Sequence, residues 1–305
     1  MAIPTRPLGS TGHDVTILGY GAMELRGSPH GPVIEDAEAG RLLNALLDSG
    51  VNLIDTSIDY GRSEELIGRY VSSRRDEYFL ASKCGCLLDL APDAVPPYPH
   101  DWSANNVRAG IEQSLDRLRT DHLDLLQVHM SPTRAQMASD GTIEEMVTLR
   151  NEGKIRFLGM SGLLPNLPEH IEMGVFDVFQ IPYSAVQREH EELITRAAAG
   201  GAGVLVRGGA ARGAPSEDKA WSVPPIGLGE GDARQRWEEG GIEDLLDGMS
   251  RMEFTLRFTL SHPGLSSTIV GTSRIAHLES NVAMATKGPL PPDVYEEAKR
   301  RLPGG

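Results

Sequence analysis

Four residues of this chain, Asp55, Tyr60, Lys83 and His129, are of types and at positions that could move a proton. Asp55 and Tyr60 lie in the stretch NLIDTSIDYG at 52–61, where an apolar run ends in an acid, two hydroxyls, a second acid and a tyrosine. Lys83 follows YFLAS and His129 follows LLQV. A free tyrosine, with a pKa of about 10, is a poor proton donor and acceptor near neutrality. A neighbouring ammonium favours the phenolate and lowers that value, and a carboxylate paired with the ammonium keeps it charged and oriented. Asp55, Lys83 and Tyr60 are the candidate trio. His129 would hydrogen-bond a substrate carbonyl or relay a proton, so the chemistry expected is proton transfer to a carbonyl oxygen. Taken singly, each has a plainer reading. Asp55 could cap a turn, Lys83 could be a solvated strand end, His129 a satisfied core-edge histidine and Tyr60 a loop residue.

What joins them is the pattern of elements around them. Eight short runs read as strands: 17–20, 52–55, 78–82, 123–129, 157–161, 178–183, 203–206 and 267–270. Several are continuously apolar, as parallel strands covered on both faces must be. Helical patterns separate them. Leu42, Leu43, Leu46 and Leu47 form a stripe ended by Gly50. Ser103 reads as the N-cap of a helix with the stripe Val107, Ile111, Leu115 and Leu118. Leu245, Met249, Met252 and Leu256 mark another helix, and Ile275, Leu278, Val282 and Ala285 a further one. Eight β-α alternations predict a (β/α)8 TIM barrel occupying residues 1–305 as one domain. The segment 6–18 turns around Gly-Ser-Thr-Gly and predicts an N-terminal β-hairpin outside the alternation. A doubly wound sheet is the alternative, but GYGAME at 19–24 lacks the third glycine of a dinucleotide fingerprint. The residues at 208–241, rich in Gly, Pro and charge, read as a long irregular loop, functional or partly disordered.

In such a barrel the chemistry belongs at the C-terminal ends of the strands. Asp55 and Tyr60 follow the second barrel run, Lys83 the third and His129 the fourth, so all four share one rim on adjacent strands.

Composition removes other classes. A net charge of −14 argues against a nucleic-acid binder, and no apolar run is long enough for a membrane span. The N-terminus lacks the apolar core of a secretory signal, and two cysteines suit a reducing cytoplasm. Cys84 and Cys86 form a C-x-C with no partner cluster in the sequence, so no metal is expected there. Asp59 reads as a solvated acid or a turn residue.

The same residues resemble the aldo-keto reductase superfamily. GVNLIDTSIDYGRSEELIG, ASKCG and SANNVRAGIEQSLDRLRTDHLDLLQVH look like its tyrosine, lysine and histidine segments. GKIRFLGMSG, FQIPYS and IVGTSRIAHLESNV match later segments in order, so the likeness runs over essentially the whole chain. It implies Asp55, Tyr60, Lys83 and His129 as a catalytic tetrad, with Tyr60 as general acid when a carbonyl is reduced by a bound nicotinamide. It further implies that Ser161 and Gln180 hold the carboxamide and that Tyr183 stacks on the ring. Gly21, Met23, Arg207, Gly209 and Gly271 would line the cofactor. Ser273 and Arg274 would meet a 2′-phosphate, with His277 alongside and Asn281 at the adenine, which favours NADPH over NADH. The chain departs from the family pattern at Gly162, Gly209, Ala210, His277 and Ser280.

Met23, Trp102 and Met130 are the candidate substrate contacts, joined by Leu25, Tyr98, His100 and Trp221 in a pocket suited to an apolar or aromatic carbonyl compound. Trp102 could equally seat the helix beginning at Ser103. Two other functions stay open: a lyase using Lys83 as a Schiff base, which needs a lysine free of a carboxylate partner, and a nicotinamide-binding regulatory subunit with slow turnover. The sequence carries no signal for oligomeric state.

Overall fold

In the computed structural model, residues 2–27, 33–88, 99–210 and 232–302 are described. The chain opens with two short antiparallel strands, β1 (Thr5–Pro7) and β2 (Asp14–Thr16). Eight parallel strands then close into a barrel: β3 (Leu18–Gly21), β4 (Leu53–Asp55), β5 (Phe79–Cys84), β6 (Leu123–Val128), β7 (Ile155–Ser161), β8 (Val178–Pro182), β9 (Gly203–Arg207) and β10 (Ser267–Val270). They follow chain order around the ring, and β10 closes it by pairing with both β9 and β3. This is the (β/α)8 barrel with an N-terminal hairpin that the alternation predicts.

The helices cover the outside. They are α1 (Asp36–Asp48), α2 (Ser63–Val71), α3 (Ala104–Leu118), α4 (Arg134–Asp140), α5 (Thr142–Asn151), α6 (Leu167–Met173), α7 (Glu191–Ala199), α8 (Asp232–Glu239), α9 (Arg251–Leu260), α10 (Ile275–Thr286) and α11 (Pro292–Arg301). Their stripes are those of the sequence: Leu42, Leu43, Leu46 and Leu47 of α1 are all buried. Ser103 caps α3 as expected, its side chain accepting from the amide of Asn106. Two expectations change. The stripe from Leu245 to Leu256 is not one helix: Asp247 and Gly248 take positive φ and Ser250 caps a new start at α9, accepting from the Glu253 amide. The stretch 208–241 is not wholly irregular, because α8 lies within it; residues 211–231 are outside those described.

The hairpin explains what fills the barrel floor. Leu8 and Val15 are fully buried with Leu53, Phe79, Ala81, Leu125, Val178 and Leu205, which point inward from five barrel strands. Each such side chain gives roughly 1.5–3 kcal/mol when withdrawn from water. The N-terminal end is thereby an apolar plug, and the polar interior is confined to the opposite mouth.

Candidate active site

Side chains alternate along a strand, so the residues two positions beyond the plug point into the barrel as well. On β4 that step leads from Leu53 to Asp55, on β5 from Ala81 to Lys83, and on β6 from Leu125 to Gln127. On β8 it leads from Val178 to Gln180, and on β9 from Leu205 to Arg207. Register keeps them level, with Lys83 opposite Gln127 and Ser161 opposite Gln180. A polar layer therefore rests on an apolar one.

Asp55 is the hub of that layer. Its Oδ1 accepts from Lys83 Nζ at 2.7 Å, and its Oδ2 accepts from the amides of Gln127 and Gln180, each at 2.8 Å. Lys83 also donates to the Thr56 carbonyl at 2.7 Å. Both charged side chains are at most 2% exposed, and an ion pair so placed survives only if its remaining hydrogen-bonding capacity is met. Gln127 meets part of it and was not singled out in the sequence. Its signal was there: it shares the inward parity and register of Lys83. Burial by itself would depress the lysine ammonium, but Asp55 and the Tyr60 phenol outweigh it, so Lys83 titrates above the ordinary lysine value. A lysine held this way is not the free amine that a Schiff-base nucleophile requires.

Tyr60 lies beside the pair, with Lys83 Nζ 4.9 Å from its ring centroid. Burial raises the phenol pKa above 10.0, and although Lys83 pulls in the opposite direction, Asp55 and Asp59 push it up further. The net shift is upward, so the expectation that the ammonium would lower this pKa holds only as an opposing contribution. His129 follows β6 on the next strand but one, its amide donating to the Cys84 carbonyl at 3.0 Å. Its pKa falls well below 6.5 because burial and the positive charge of Lys83 both oppose protonation, with smaller contributions from His100 and Arg207. The imidazole is neutral at physiological pH. Asp55, Tyr60, Lys83 and His129 thus gather at the mouth, with a phenol that stays protonated and a histidine that stays uncharged.

Of its two readings, Asp59 is the turn residue and not the solvated acid. Its side chain is 6% exposed, it accepts from the Ser57 hydroxyl, and its Oδ2 is 4.0 Å from His129 Nδ1.

Residues 17–301 match the Aldo/keto reductase family. The chain belongs to that family. Among curated relatives it is 29% identical over 298 residues to the L-galactose dehydrogenase of Arabidopsis thaliana, covering 93% of this chain and 89% of the relative. It is 26% identical over 202 residues to the NADH-specific methylglyoxal reductase of Escherichia coli, covering 61% and 60%. Among solved structures it aligns with the aldo-keto reductase AKR11C1 from Bacillus halodurans in its holo form, with a TM-score of 0.83, 25% identity and coverage of 99% and 97%. The chain is accordingly an oxidoreductase of a family that reduces carbonyl compounds with a nicotinamide cofactor.

The aldo-keto reductase positions expected to serve a cofactor lie in four places. At the mouth, Ser161 Oγ donates to Gln180 Oε1 at 3.3 Å, both side chains buried, and Arg207 stands inward above Leu205. Between β3 and β10, Gly21 and Gly271 approach so closely that a Cβ on Gly271 would sit 2.7 Å from the Gly21 carbonyl oxygen. Met23 follows in the turn Ala22–Leu25, half-buried. Gly209 lies beyond β9, its carbonyl accepting from Thr259 Oγ1 at 2.7 Å. At the start of α10, Ser273 is half-buried, Arg274 and His277 are exposed, and Asn281 is 7% exposed.

Tyr183 does not join them. It is fully buried on the helix side of β8, its ring 6.0 Å from Phe258 and 5.3 Å from His262, its hydroxyl 3.3 Å from that of Tyr295. The reason is parity: Gln180 points inward, so Ile181 and Tyr183 point outward, into the cluster that also holds Phe179. Stacking on a cofactor ring is therefore not available to it. Arg207 has the inward parity, and its charge acts on both Tyr60 and His129.

Of the candidate substrate contacts, Met130 is 39% exposed and, with Ser131, adopts positive φ immediately after His129. Non-glycine residues rarely occupy that region, and the loop is held there by Ser131, which donates to the Leu163 carbonyl and accepts from the Leu163 amide. Leu25 is fully buried and serves packing. Trp102 does more than seat α3: its Nε1 donates to the His129 carbonyl at 2.9 Å and its ring stacks on His100. Tyr98 and Trp221 lie outside the described residues. No helix of the described residues is long and apolar enough to cross a membrane.

Proposed function

We propose that this protein is an NADPH-dependent carbonyl reductase, also able to run as an alcohol dehydrogenase, with Tyr60 as its general acid and base. The observation that carries the reading is the convergence of Tyr60, the buried Lys83–Asp55 pair and neutral His129 at one barrel mouth. Residues present there also suit a dinucleotide. Arg274 occupies the N-cap of α10 without a side-chain cap, so the first amides of that helix point outward beside a cation, a setting that favours a phosphate. Gly21 and Gly271 leave backbone bare of side chains where β3 and β10 meet, and Ser161 and Gln180 offer a hydroxyl and an amide to a carboxamide.

In this reading a nicotinamide held by Ser161 and Gln180 would supply the hydride that reduces the carbonyl carbon. The protein manages the proton and the geometry. His129, uncharged, donates from its imidazole to the carbonyl oxygen and aims it at the Tyr60 hydroxyl. Tyr60 gives its phenolic proton to the alkoxide forming at that oxygen. Lys83 stabilises the phenolate left behind, and Asp55, fixed by Gln127 and Gln180, keeps Lys83 charged and immobile. For alcohol oxidation the phenolate takes the proton back. Arg207 adds positive charge above the same centre, and Met23, Trp102 and Met130 give the substrate an apolar rim.

The direct experiment is a fluorescence titration with NADPH and NADH, followed by a panel of aldehydes and ketones in which reduced cofactor is consumed. Tyr60→Phe should lower turnover by roughly 10²–10⁴-fold, the usual worth of a positioned acid, while the Kd for NADPH stays within a few-fold. Undiminished carbonyl reduction by that variant would remove Tyr60 from its role.

A further inference from the structure

A second cluster shares His129 with the proton-transfer residues, and its other members, Cys86 and His100, are used by none of the steps above. Cys86 Sγ lies 3.1 Å from His129 Nδ1, and His100 Nε2 lies 3.3 Å from the same nitrogen. The three ligand-type atoms are all within 4.8 Å of one another. Cys86 is buried and both histidines are partly so. They come from three places that the sequence does not bring together. Cys86 follows β5, His100 returns beside it through an antiparallel bridge, and His129 follows β6, tied by its amide to Cys84. The partner cluster that the C-x-C lacks in the sequence is thus supplied by the fold.

Hydrogen bonding accounts poorly for this convergence. A neutral imidazole nitrogen is either one donor or one acceptor, so Nδ1 of His129 cannot serve a thiol and a second imidazole in full at once. A cation reverses the bookkeeping, because it accepts a lone pair from each of the three atoms. Zinc binds thiolate sulfur at ~2.3 Å and imidazole nitrogen at ~2.0–2.1 Å, which sets tetrahedral ligand atoms roughly 3.3–3.6 Å apart. The separations of 3.1 and 3.3 Å from His129 Nδ1 need adjustments of only a few tenths of an ångström, and the remaining pair, Cys86 Sγ and His100 Nε2, lies within 4.8 Å.

The surroundings fit as well. Asp59, buried 4.0 Å from His129 Nδ1, brings a carboxylate, so thiolate and carboxylate together balance a divalent charge. Ser57 links the two, donating to Asp59 and lying 3.7 Å from Cys86 Sγ. The His100 ring is stacked on Trp102 at 5.6 Å, and Trp102 in turn grips the His129 carbonyl, the kind of outer support that orients metal ligands.

We propose that Cys86, His100 and His129 form a binding site for a soft divalent cation of the zinc class, with a fourth position toward Asp59. On binding, the Cys86 thiol loses its proton to solvent and the sulfur–metal bond forms without any change of oxidation state. The metal takes the Nδ1 lone pair of His129, so the ring proton resides on Nε2, the tautomer able to donate from that nitrogen. The inference does not rest on the reductase reading, because binding is measured without turnover.

The test uses the untagged full chain, reduced, stripped with a chelator and titrated with Co²⁺ alone. One equivalent should produce a thiolate-to-cobalt charge-transfer band and visible d–d bands of tetrahedral intensity, and Zn²⁺ should abolish both. Competition with a chromophoric chelator should show Cys86→Ser and His100→Ala each weakening Zn²⁺ binding by more than the roughly 10–100-fold that outer-shell changes cost. If Cys86→Ser fails to fold, the partly exposed His100→Ala carries the comparison. Absence of the charge-transfer band, or binding that survives both substitutions, would overturn the proposal.

Discussion

The indole of Trp102 holds His129 from behind, Nε1 to carbonyl oxygen at 2.9 Å, and it reaches that position only because residue 85 is glycine. A Cβ on Gly85 would lie 2.3 Å from Trp102 Cδ1, and the residue has φ +92°. Gly85→Ala should therefore cost at least about 1 kcal/mol from backbone strain, plus the displacement of the indole. Urea unfolding should show the loss. Because the displaced group braces His129, kcat/KM for carbonyl reduction should fall as well, with cofactor affinity unchanged. A stable variant with full activity would mean that Trp102 does not position His129.

The Asp55 carboxylate binds three donors, and Asp55→Asn replaces one acceptor oxygen with a fourth donor. Either Lys83 or both glutamines then face an NH2 group in a buried layer. Breaking a buried ion pair from one side costs about 3–5 kcal/mol, so the denaturation midpoint should fall sharply. Asp55→Asn combined with Lys83→Met should lose much less than the sum of the two single variants, since the double variant leaves no stranded charge. Additive losses would show that the pair is not coupled.

The pH dependence follows from the signs of two shifts. Tyr60 titrates above 10.0, so the phenol needed for reduction persists across about pH 6 to 9, and kcat for reduction should be flat there. Oxidation needs the phenolate, a minor species in that range, and should rise by roughly tenfold per pH unit. His129 titrates well below 6.5, so neither direction should show a histidine limb near that value. A sigmoid centred near 6.5 in the wild type and absent from a His129 variant would contradict the neutral imidazole.

The sequence made the barrel legible because eight apolar runs and their capped helices repeat without interruption. The grouping of Asp55, Tyr60, Lys83 and His129 at one mouth was legible because they follow consecutive strands. What escaped was anything decided by side-chain direction at the strand ends. Tyr183 was placed at the cofactor although it is one residue out of phase with Gln180 and turns into the core. Gln127 was passed over although it is in phase with Lys83. Asp59 and Cys86 looked incidental and His100 read only as a pocket-lining residue, because the bridge that brings Cys86 and His100 together joins loops that no local pattern announces. Parity could have settled the first two, and only the folded chain brings the other three together.

Arg274 gives the sharpest test of cofactor choice. It is exposed at the N-terminus of α10, where a cation opposes the helix dipole and is ordinarily disfavoured. Among the described residues no ion pair engages it. A bound phosphate would turn this arrangement into a favourable one, accepting both from the guanidinium and from the outward amides. The similar Escherichia coli enzyme is NADH-specific, so the family likeness alone does not decide the matter, and the residue must. Hydrogen bonds to charged groups contribute about 1.5–3 kcal/mol, so Arg274→Ala should raise the Kd for NADPH by roughly 10-fold or more. NADH carries no 2′-phosphate, and its Kd should move less than about twofold, because the substitution removes only that contact. Equal losses for both cofactors would place the 2′-phosphate elsewhere and leave Arg274 as a surface residue.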